Sequence, residues 1–416
     1  MQTRIRVAAV LFLVLMNLRA YGDLTTSTWT GGTSGPWGDP NNWSPATVPN
    51  NDGEDSFVVN INGIDPAVSI AIVDQQSVHS VNCNGPVNLV GENRQATLSL
   101  TGSSGLTNRG SLSLDQMAIA GQIKNAADAT LTLGAHGVDL TGGISNTADG
   151  LIRAVGTLDI HGGTIANDGE IIFGDLSRFG AVSDGGVTSV TNAGILRFRG
   201  GSCAGFDHIG NQARAVIVGT GVVHAQQSIE NAGIIYAFLG HLVVDSYGTL
   251  VNRGTLLNLP GSTMSLYTED HDCVNRGTIM ARLGGAITFV SRDTERALMN
   301  EGGGTILLKG GTISAPRLVH TAGASFSGFG GIDASLVIEE YAVVTLTGPT
   351  NIVGDVEMQN GARLSITTGD TLITDHVRCN GTIRLTGGTL TLQGGISGDY
   401  QIMENGGTYI EAPGAG

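Results

Sequence analysis

The sequence predicts an all-β fold, a single-stranded right-handed parallel β-helix (β-solenoid) of about 15 or more coils of roughly 21 residues. Two observations lead there. A short frame recurs in which an apolar residue is followed two later by Asn, two after that by Gly, and then by further apolar residues at steps of two; Cys273, Asn275, Gly277, Ile279 and Ala281 are one copy. Gly is 64 of 416 residues, about twice the usual ~7 %, while Pro is 10 and apolar residues are 41 %, a balance that suits many short strands joined by tight turns and does not indicate disorder.

Residues 1–22 read as an export signal. Arg4 and Arg6 form a basic start, Val7 to Met16 an apolar run too short to anchor in a bilayer, and Ala20 and Gly22 place small residues before a cleavage point at Asp23. Losing Arg4, Arg6 and Arg19 takes the formal charge from −15 to −18. An acidic chain whose only lysines are Lys124 and Lys309 lacks the clustered cations that nucleic-acid binding requires. No later stretch is apolar and long enough to cross a membrane as a helix.

Residues 23–56 hold all three tryptophans, in Ser27-Thr28-Trp29-Thr30-Gly31 and Trp37-Gly38-Asp39-Pro40-Asn41-Asn42-Trp43-Ser44. A stack of strands has a raw first edge, and large rings on a Gly/Pro/Asn-rich loop can cover it. A sugar-stacking platform of Trp29, Trp37 and Trp43 is the alternative. The run Asn50 to Asp55 hints at a calcium loop without EF-hand ligand spacing. This opening resembles that of many secreted β-solenoid proteins of planctomycetes and similar bacteria.

Residues 57–396 are assigned to the repeat. The Asn slot runs through Asn108, Asn125, Asn146, Asn167, Asn192, Asn211, Asn231, Asn252, Asn275 and Asn300, with His320, Glu340, Asn360 and Cys379 placed in it downstream and Cys83 upstream. Fifteen slots from Cys83 to Cys379 set the period near 21, too short for a propeller blade, and no 3.6-residue stripe separates the copies. Four copies insert two residues after Asn, which keeps later side chains on their own face, as strands require. Asn tolerates a turn, and its amide can bond its counterpart one coil away. Residues 174–189, 199–208 and 281–297 are read as loop excursions, and 397–416 as a tail.

The four cysteines fall coils apart, beyond the ~7 Å Cα limit of a disulfide, so buried free thiols are expected. Glu269, Asp270 and Asp272 are the densest acids and the metal-ligand candidates, although neighbouring strand residues point to opposite sides. His136 and His161 show no acid at a matching offset and receive no role. Between the inward positions of successive coils lie Ile172, Arg197, Val218, Tyr236, Leu257, Met280 and Leu307, where polar residues such as Ser113 and Thr132 stand elsewhere. An outer apolar stripe about 29 Å long follows, covered by the long loops or by a partner.

The repeat region resembles the parallel β-helix superfamily of pectate lyases, polygalacturonases, autotransporter passenger domains and filamentous haemagglutinins. The enzymes of that group carry clustered Asp residues, or calcium-binding acids with an Arg or Lys base, on adjacent coils. Arg197 and Arg199, with Asp168 and Asp175, are the positions here that could answer to that pattern, but no Asp-Asp pair and no Asn-Thr-Asp run is present. The expected function is a secreted or cell-surface structural or adhesive protein, non-catalytic and without cofactor, facing extracellular polysaccharide or other surface proteins. Alternatives are a pectin-lyase-type lyase or hydrolase, and carbohydrate binding through the tryptophans.

Overall fold

Alternation at period two dictates the local structure. Each short run of Val, Ile, Leu, Phe and Thr buries every second side chain, and Gly, Asn and Asp punctuate the runs. In a computed structural model that describes residues 24–51, 56–182 and 188–412, these runs are strands, with one 3-10 turn at Pro40–Asn42 and no α-helix among the described residues. The expected export signal, and most of the Asn50–Asp55 loop, lie outside the described residues.

The strands stack into a β-solenoid of about 17 turns, roughly 80 Å long at ~4.8 Å per turn. Each turn contributes one strand to each of three faces. In one turn, Thr249–Asn252 lies on face A, Thr255–Asn258 on face B and Thr263–Thr268 on face C. The next turn repeats this with Cys273–Asn275, Thr278–Arg282 and Ala286–Ser291, in register at Asn252 with Asn275, Leu256 with Ile279 and Leu266 with Phe289. Every strand pair but one is parallel among the described residues. Inward aliphatic and Phe side chains from all three faces merge into one continuous core, each stabilising by roughly 1.5–3 kcal/mol where fully buried.

The exception to parallel pairing is at the N-terminal end. Leu24–Trp29 opens face A, then Trp43–Ser44 folds back against it, antiparallel, with Trp29 opposite Trp43. The three tryptophans are buried and belong to the core cluster.

Three expectations are corrected. The described parts of segments 174–189, 199–208 and 281–297 carry strands: Arg178–Ala181, residues 202–203 and Ala286–Ser291 lie on face C, a third side of the coil that the Asn frame did not reveal. The coil also runs past 396, because Gln401–Glu404 and Thr408–Glu411 pair in parallel with the turn before. Finally, His320 is followed in the slot by Ile338, Met358 and Cys379. Glu340 and Asn360 sit two residues further on, exposed at the turn. A shift of two preserves the in–out alternation, so periodicity alone cannot tell these registers apart.

Candidate functional site

Face A carries a ladder, and its chemistry is structural. From Asn108 to Asn300, each buried Asn donates from Nδ2 to Oδ1 of the Asn one turn on, at 2.7–2.8 Å. The other Nδ2 hydrogen goes to a face B carbonyl of that turn, Thr255 O for Asn231 and Thr305 O for Asn275. His320 ends the run: its Nδ1 faces Asn300 Nδ2 at 3.0 Å and its Nε2 faces the Val343 carbonyl at 3.0 Å. Asn300 can only donate there and Val343 can only accept, so the neutral tautomer protonated at Nε2 is required. Burial lowers the imidazole pKa, partly offset by the Val343 bond.

The tryptophans do not form a platform. Trp29 and Trp43 meet edge to face at 5.1 Å, Trp37 and Trp43 at 4.8 Å, and each indole N–H is bonded to a backbone carbonyl. A sugar face needs an exposed ring, and these are closed into the end of the core. All four cysteines are free and buried; burial pushes the Cys83 and Cys203 thiols up to about 12.

Among the residues suggested by resemblance to enzymes, Asp175, Arg197 and Arg199 line one groove of about 390 Å³ with Val218 and Phe238. Asp168 lies in a different one, with Asp149 and Glu170. Arg197 is held by Glu170 at 2.7 Å, which neutralises it. Glu269, Asp270 and Asp272 also part company. Glu269 pairs with Arg292 at 2.7 Å, Asp270 with His271, and Asp272 accepts from the Ala297 backbone at 2.8 Å. Among the described residues no group of three His, Cys, Asp or Glu converges on a metal position. His136 does have an acid in the preceding turn, Asp115 at 2.9 Å.

The outer row of face B stands as one register column from Ile172 to Leu307, each member alternating with buried neighbours. Val218 is 2 % exposed and the others are half-buried.

Sequence reasoning passed over the outer side of face C. A groove of about 380 Å³ lies there, lined by Asp245, Tyr247, Tyr267, Thr268, Glu269, Val290, Ser291 and Arg292. Tyr247 and Tyr267 are 46 % and 41 % exposed. The His224 ring packs at 4.6 Å from that of Tyr247, and its Nε2 is buried without a hydrogen-bond partner, 4.0 Å from Asp245 Oδ2. Desolvation raises the Asp245 pKa, His224 opposes this, and Glu269 adds to it. Two exposed aromatic rings beside two carboxylates, with His224 packed behind Tyr247, form a surface suited to a hydroxyl-rich ligand. The signal was present in outward positions one turn apart, His224, Asp245 and Tyr267, but only the register aligns them.

Three parallel faces around one core, with an internal amide ladder, define the chain as a β-solenoid. No protein-family model matches it, and no curated protein is similar to it in sequence.

Proposed function

We propose that the chain is an exported β-solenoid of the cell surface or extracellular matrix that works by display, holding polysaccharide against its outer faces without cleaving it. The Tyr247–Tyr267 groove carries this reading, because it sets exposed rings beside hydroxyl-binding groups on a rigid scaffold. The groove is acidic, with Asp245 and Glu269 against one Arg292, so neutral glycans suit it better than polyuronates. The export signal read at residues 1–22 supports the location.

The test is glycan-array binding by the purified mature chain, with uronate and reducing-sugar release assayed in parallel. Binding without release is expected. Tyr247→Ala and Tyr267→Ala should each weaken binding by about 1–2 kcal/mol, as expected for aromatic anchors. Undiminished binding by both variants would remove the groove from the proposal. Release of sugar would replace display with the polysaccharide-cleaving alternative, for which the groove of Asp175, Arg197 and Arg199 is the place to look.

A further inference from the structure

The outer side of face B changes character along the rod. Its second row reads Ser113, Thr132 and Arg153 before the window, then Ile172, Arg197, Val218, Tyr236, Leu257, Met280 and Leu307, then Ser327, Thr345 and Ser365. In the same turns the first row adds Ile195, Val216 and Ile234. The edge beside them carries Phe238 at 41 % and Leu239 at 81 % exposure. Strand propensity accounts for Ile, Val and Tyr, but Leu257, Met280 and Leu307 have no such reason to replace Ser and Thr. The core is complete without them, since the inward positions of the same strands are buried.

We infer that this window is the contact between two copies of the chain, packed face to face and antiparallel. Seven turns and four residues of strand make it about 29 by 13 Å. Its projected area of roughly 400 Å² suits the apolar centre of an interface that needs ~800 Å² per partner once a polar rim is included. A second copy offers the same flat, ~4.8 Å ribbed surface, and sheets pack in this way at ~10 Å. Charge selects the direction. A two-fold axis through the Tyr236 turn, along its strand, sets Ile172 opposite Leu307, Arg197 opposite Met280, and the nearly buried Val218 opposite Leu257. It also brings Asp175 of one copy to Lys309 of the other, twice. Both are exposed, and neither has an ion partner among the described residues. The parallel alternative sets Asp175 towards Glu170 instead. The antiparallel arrangement also places Arg199 opposite Arg282, twice, which offsets the Asp175–Lys309 attraction, but the parallel one has the Asp175–Glu170 repulsion with no attraction against it.

Light scattering on the full mature chain at about 100 µM should report twice the chain mass, and Leu257→Glu with Met280→Glu should return it to one while its β-sheet circular dichroism stays that of the wild type. Tyr236→Cys places a thiol on the axis, and a short bismaleimide should join two copies there, while Ser365→Cys, in the same row outside the window, should remain single. The four native cysteines are buried and do not compete. A monomeric wild-type chain at that concentration overturns the inference, as does equal cross-linking of Ser365→Cys. Glycan binding by the face C groove is read separately, so either proposal can fail alone.

Discussion

Asn231 shows what one residue does in this chain. It accepts from Asn211 Nδ2 at 2.7 Å, and donates to Asn252 Oδ1 at 2.7 Å and to Thr255 O at 3.3 Å. Asn231→Ala strands a buried donor above and a buried acceptor below, each costing about 1–3 kcal/mol. Urea unfolding should register a loss of roughly 2–5 kcal/mol, against ~0.5 kcal/mol or less for Asn360→Ala, which is exposed and outside the ladder. Equal losses would mean that Asn360 is in the column after all. His320 adds a pH dependence with a definite sign. Its folded pKa lies below the ordinary 6.5 because burial disfavours the charged ring. The contribution to stability is therefore complete above about 6.5 and is lost as pH falls through the folded pKa. The melting temperature of the wild-type chain should drop between pH 7 and pH 5 by more than that of His320→Asn. The Asn variant can still accept from Asn300 and donate to Val343 without titrating.

At the scale of the strand and its turn, the Gly two residues after Asn is held by closeness rather than by a left-handed backbone. A Cβ at Gly254 would overlap the Gly233 carbonyl oxygen, and one at Gly277 the Gly254 carbonyl oxygen. Gly254→Ala should therefore destabilise by about 1–3 kcal/mol, the cost of overpacking a tight contact, measured as a shift in the urea midpoint. An unchanged midpoint would show that the stacked turns can part. By contrast Gly261, at φ +73 with open space where a Cβ would stand, is a turn glycine held by its backbone angle alone. Alternation made faces A and B legible, because their Asn, Gly and paired aliphatics repeat at fixed offsets from Asn275. Face C was hidden: its paired positions Cys203, Val223, Val244 and Leu266 fall 11, 12, 13 and 14 residues after Asn192, Asn211, Asn231 and Asn252, so their offset from the slot drifts. The displacement of Glu340 and Asn360 has the same root, since an even insertion leaves every pattern of period two intact.

Across the whole molecule, stability is that of a stack, in which each turn rests on its two neighbours and the core never divides. Such a scaffold holds its outer residues in fixed rows, and that converts dispersed residues into surfaces. The sequence by itself determined the β-solenoid, its period, the ten-member Asn ladder and the outer row from Ile172 to Leu307, because each depends on spacing along one strand or on repetition of one frame. Only the tertiary structure decided that the tryptophans close the core, that Asp168 stands apart from Asp175, Arg197 and Arg199, and that Asp245, Tyr247, Tyr267 and Glu269 share a groove. Those relations join residues in different turns and depend on how each coil is registered on the last, which backbone hydrogen bonding sets and one-dimensional periodicity leaves free.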